Sequence, residues 1–127
     1  MSDHARLTAR LREIDDTLTS LKMERMEVVS RLSYISLVNA MKQIGELSLS
    51  RLEDEMNNGG YAPSRGCHFT NTTLIAWRHT LTQNFFPNTA ALLPEYGPSR
   101  MTEEEVRVLF TSIAEAIRND LAALEHA

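Results

Sequence analysis

The chain has 127 residues, of which 43% are hydrophobic and 24% charged, and a net charge of −4. That length supports one domain with a packed core but not two, and the composition excludes an intrinsically disordered chain. The acidic balance excludes a broad phosphate-binding face for nucleic acid. No run of about 18 apolar residues exists to cross a membrane, and the sole cysteine, Cys67, forbids an internal disulfide. The N-terminal "MSDHARLTARL" has no apolar signal-peptide core, so the expected compartment is the cytoplasm.

The first element carries the clearest pattern. Leu7, Leu11, Ile14, Leu18, Leu21, Arg25, Val28, Leu32 and Ile35 follow alternating steps of four and three, the a/d rhythm of a heptad seam. The spacing predicts a helix over about 3–43. Its length of about 55 Å at ~1.5 Å per residue exceeds the ~28 Å width of a compact domain this size. Such a helix needs a partner along its length, and a second copy is the simplest, which predicts a homodimer. Beyond Ile35 the same steps fall on the polar Asn39, Lys42 and Glu46. Gly45 is expected to bend or break the helix, with a shorter helical stretch over 46–57 ending at "NNGG".

Residues 58–69, "NGGYAPSRGCHF", read as a loop, followed by a helix over 70–86 capped by Thr70 or Asn71. Leu74, Arg78, Leu81 and Phe85 fall on one face of that helix, and Pro87 is expected to end it. Residues 87–101 read as a connector with one helical turn near Ala90–Leu93. The last helix, 102–125, opens on a capping box, Thr102 with Glu105, flanked by Met101 and Val106 as a hydrophobic staple. Three glutamates in its first turn match the helix dipole. Val106, Phe110, Ile113, Ile117, Leu121 and Leu124 form its expected buried stripe. The fold class predicted is all-α, with three main helices and a long N-terminal one.

Two positions break these stripes. Arg25 and Arg78 each stand where an apolar residue is expected, on two different helices. A guanidinium is permanently charged and binds carboxylates in bidentate fashion, so each arginine requires water, an internal acid or an external anion. Glu24, Glu27, Asp54 and Glu115 are the internal acids available. If the arginines serve a ligand, Arg25 and Arg78 are the expected catalytic pair. Tyr61, Arg65, His79 and Lys42 are the expected binding residues, with Tyr61 and Arg65 acting from a loop that folds over the site. Cys67, His68 and His79 lack the spacing of a metal centre, so no metal is expected.

"IDDTLTSLKMERMEVVSRL", Ile14 to Leu32, resembles the opening helix of the AroQ-class, all-helical chorismate mutases, with Asp15, Leu18, Leu21, Arg25 and Met26 at matching positions. "EEVRVLFTSIAEAI", Glu104 to Ile117, is similar to that family's closing helix. The resemblance implies an intertwined helical dimer with paired first helices and sites shared between protomers. There, cations would clamp a dicarboxylate without any cofactor and stabilise charge developing on an ether oxygen. Arg25 matches the family's first-helix arginine. Thr8 and Ser36 stand where the family has an arginine and a lysine, and Ile117 and Leu121 replace polar residues of its closing helix. These departures make ordinary chorismate mutase activity doubtful and point to a different small anion. Two functions are therefore expected: a divergent isomerase, lyase or cyclase acting on a small anion, or a non-catalytic helical dimer that serves as adaptor or regulator of a protein partner.

Overall fold

The computed structural model describes residues 2–59, 72–94 and 101–126. Four helices occur among them: α1 (Asp3–Asn57), α2 (Leu74–Thr80), α3 (Pro87–Leu92) and α4 (Glu103–Leu124). The described residues contain no strand. The chain divides into two units, one ending at Leu37 and the other beginning at Val38. The all-α class and the long N-terminal helix are as the sequence predicts.

In the first unit, residues 3–37 are helical and every one of them is exposed. The second unit has one core. Leu52 of α1, Leu74 and Trp77 of α2, and Val106, Phe110, Ile113, Ile117 and Leu124 of α4 are buried together with Leu81, Phe86 and Leu93. α3 packs on α4.

The helix does not break at Gly45. α1 runs through it to Asn57, longer by some four turns than the predicted 3–43 element. A Cβ built on Gly45 would stand 2.8 Å from both Leu121 Cδ2 and Phe86 Cε1. Glycine is therefore present for close approach of α1 to its neighbours, and helix propensity yields to packing. α1 closes where "NNGG" predicts. Gly59 adopts φ +72°, the left-handed conformation glycine tolerates, and Asn58 N donates to Asp54 O at 3.0 Å.

The predicted 70–86 helix stops early. α2 ends at Thr80, and a turn in which Phe86 N donates to Thr82 O at 2.7 Å leads into α3. Pro87 opens α3 instead of ending α2, because a residue without an N–H fits the first helical position. α3 thus occupies the first six residues of the predicted connector, a longer helical piece than the one turn expected near Ala90–Leu93. Thr73 precedes α2 and its side chain makes no capping hydrogen bond; the expected caps, Thr70 and Asn71, lie outside the described residues.

α4 follows its sequence signals closely. Thr102 Oγ1 accepts from Glu105 N at 3.1 Å, and Glu105 Oε1 accepts from Thr102 N at 3.2 Å, completing the capping box. Val106 is fully buried and Met101 packs against the core. The predicted stripe is buried or, at Leu121, half-buried.

Asp120 was not anticipated. It is buried on α4, and its carboxylate accepts from Asn88 Nδ2 at 2.9 Å, from Thr89 N at 2.8 Å and from Thr89 Oγ1 at 2.8 Å. Asn88 N also donates to it at 3.3 Å. Asn88 and Thr89 lie in the first turn of α3, whose backbone N–H groups have no partner within the helix. A carboxylate from a neighbouring helix therefore does for α3 what its own N-cap, Phe86, cannot.

Candidate functional site

The surface of the first unit is its distinguishing feature. Of the seventeen exposed large hydrophobic side chains among the described residues, thirteen lie between Leu7 and Leu37. The seam leucines, isoleucines and valine at positions 7, 11, 14, 18, 21, 28, 32 and 35 are 41–62% exposed. Single exposed hydrophobics are ordinary; a periodic band of them marks an interaction surface. The band is flanked by balanced charge. Residues 3–37 contain six acids (Asp3, Glu13, Asp15, Asp16, Glu24, Glu27) and six bases (Arg6, Arg10, Arg12, Lys22, Arg25, Arg31). The ion pairs formed there, Arg6–Asp3 and Arg10–Glu13, both at 3.0 Å, are highly exposed and worth little.

Arg25 sits within this band and is exposed. Arg78 is also exposed, contrary to its expected place on a buried face. The reason lies in the rhythm of α2. Its inner positions are Leu74, Trp77 and Leu81, steps of three and four, and Trp77 takes the inward place that a step of four would have given Arg78. Neither arginine forms an ion pair with Glu24, Glu27, Asp54 or Glu115, and neither has any ion pair among the described residues. His79 is exposed beside Arg78. Lys42 is half-buried, with its Nζ 3.9 Å from Glu125 Oε1, so it is engaged with an acid of its own chain. Tyr61 and Arg65, with Cys67 and His68, lie outside the described residues. No group of three or more metal-ligating side chains occurs among the described residues.

Among the described residues of the second unit, shallow grooves lie beside α3 and α4. One, of about 380 Å³, is lined by Leu92, Met101, Val108 and Leu109 with Glu104 and Glu105. Another, of about 410 Å³, includes Asn88, Glu115 and Asn119. Both carry carboxylates and neither carries a cation, which is the wrong polarity for a small anion. None of the predicted site residues lines either groove.

Asp120 lies on the rhythm Ile113, Ile117, Asp120, Leu124, a polar residue in an apolar stripe, which is the criterion that singled out Arg25. Choosing Leu121 for that place hid it. Among the described residues no helix is long and apolar enough to cross a membrane. No family model matches the chain, and neither curated proteins nor solved structures provide a match.

Proposed function

We propose that the chain is a helical self-association module, a homodimer built on the seam of residues 7–35, acting as an adaptor or regulator and not as an enzyme. The observation that carries this reading is the exposure of eight periodic seam hydrophobics on one helix. A second copy supplies an identical seam, and equal numbers of acids and bases let that surface meet itself without net repulsion. The balance also disfavours a bilayer as the occupant, because an interfacial helix is normally rich in bases on its polar face.

Covering a half-exposed leucine-sized side chain gains about 1 kcal/mol, half of a full burial. Eight from each copy give a gross gain of about 16 kcal/mol, against an association cost of about 4–15 kcal/mol. The surplus lies between about 1 and 12 kcal/mol, so the association is reversible and depends on concentration. Sedimentation equilibrium of the full chain should give twice the 14.4 kDa chain mass at high concentration and dissociation on dilution. Replacing both Leu18 and Leu21 by Asp should leave a monomer at all concentrations. A monomeric parent chain, or a double variant that still associates through another surface, contradicts the reading.

A second reading is favoured by one observation: Arg25 lies on the seam itself, so association would enclose it between helices of two copies. This is the setting that the chorismate-mutase-like resemblance requires for a small-anion site. Turnover of chorismate, or a melting shift with cyclohexadienyl or aromatic carboxylates, abolished by Arg25→Ala, would establish it. The first reading predicts neither.

A further inference from the structure

We infer that Arg25 limits the assembly to two copies, lying parallel and in register. The inference rests on the self-association reading above. In the heptad numbering of the seam, the a positions are Leu11, Leu18, Arg25 and Leu32, and the d positions are Leu7, Ile14, Leu21, Val28 and Ile35. Every apolar a position is leucine, and three of the five d positions are β-branched. That arrangement by itself favours more than two strands, whereas two-stranded coils prefer the reverse. Val29, at an e position, is exposed and apolar, and it widens the band in the same direction.

One side chain opposes this tendency. In a two-stranded coil an a residue lies near the edge of the seam, and a long arginine can lay its stem across the apolar surface while its guanidinium reaches the flank. In a four-stranded bundle the same layer is enclosed, and four guanidiniums would meet without water. Burying unpaired charge outweighs the packing preference of branched side chains, so the pair is the favoured assembly.

The flanking charges choose the orientation. Glu24 occupies the g position next to Arg25 and is exposed. When two copies run parallel and in register, Glu24 of each flanks the partner's Arg25, forming two reciprocal pairs. A g residue then also approaches the e residue of the partner's following heptad. Arg10 meets the partner's Asp15, and the remaining combinations (Thr17 with Lys22, Glu24 with Val29, Arg31 with Ser36) contain no like charges. Arg10 pairs with Glu13 of its own helix at 3.0 Å, but both side chains are 67% exposed, so the arginine can be shared.

The test uses the full chain, with mass measured by light scattering and helicity checked by circular dichroism. The parent should show twice the chain mass. Arg25→Leu should shift it to a larger assembly, near four copies, while Arg25→Lys, which keeps the charge and a long stem, should stay at two. For orientation, Leu7→Cys on a Cys67→Ser background should oxidise to a covalent dimer, since only parallel copies bring the two position-7 thiols together. An Arg25→Leu variant that remains helical at two copies overturns the role of Arg25 and leaves self-association standing. A parent chain of four copies overturns it as well. A two-copy protein whose position-7 thiols do not join overturns the parallel arrangement. A parent that is monomeric at every concentration removes both this inference and the reading beneath it.

Discussion

Two stretches of one helix, residues 7–35 and residues 38–56 of α1, have similar residue types and different surroundings. Both have a stripe of apolar side chains at steps of three and four. In the second, Val38, Gly45, Ser48 and Leu52 are buried, with Met41, Leu49 and Met56 packed against the same core. In the first, every stripe residue is exposed. The rhythm itself marks the change. Leu32, Ile35, Val38 and Met41 are separated by three successive steps of three, so the apolar positions move one place earlier in the heptad. Asn39, Lys42 and Glu46, which continue the original seam, are accordingly left off the buried stripe. Periodicity identifies which face of a helix seeks cover; it does not say whether the cover comes from the same chain.

The comparison is broken most forcefully by matched truncations. Leu52 is fully buried, so Leu52→Ala should lower the stability of the second unit by about 3 kcal/mol, equally at low and high protein concentration, in urea melts. Leu18→Ala, the same change in the exposed seam, should leave that melt unaltered on dilution and weaken only the concentration-dependent part. Equal, concentration-independent losses would mean that the seam is packed within its own chain. Asp120→Ala sharpens the account of the second unit: it strands the donors of Asn88 and Thr89 at the start of α3 and should cost about 2 kcal/mol. The same melts should show no change in association, because Asp120 is remote from the seam in sequence and buried in its own unit. Gly45→Ala is the smallest perturbation. The new methyl must displace Phe86 or Leu121, an overpacking cost of about 2 kcal/mol, partly offset by about 1 kcal/mol of helix propensity. A net loss of about 1 kcal/mol is expected; a gain would show that the glycine is not there for close packing.

The readable parts of the sequence were those where a local signal and the tertiary demand coincide. α4 is legible because its cap, its acidic first turn and its apolar stripe all describe one helix and one buried face. The seam of α1 is legible only as a periodicity, because its steps of three and four run unbroken from Leu7 to Ile35. Gly45 was misread because propensity treats glycine as a breaker, and only the positions of Phe86 and Leu121 reveal why a Cβ is excluded. The predicted 70–86 helix overruns α2 because Leu81–Phe86 contains no glycine or proline to stop it, and Pro87 can either stop one helix or start another. Arg78 was placed inward on a step of four, when Trp77, one residue earlier, had the larger surface to bury. Asp120 is not legible because its partners, backbone and side-chain donors of Asn88 and Thr89, belong to a helix that the sequence does not separate from a connector. The surroundings of the candidate site residues depend on tertiary placement that no local signal carries. Arg25 and Arg78 are exposed, Lys42 engages Glu125, and Tyr61 and Arg65 lie outside the described residues.

Amide hydrogen exchange followed residue by residue over a range of protein concentrations tests the central claim most directly. Amides of residues 7–35 should gain protection as concentration rises and lose it on dilution, while those of residues 45–56 stay protected throughout. Strong protection of residues 7–35 in the most dilute sample, or none in the most concentrated, would contradict a seam that is completed by another copy of the chain.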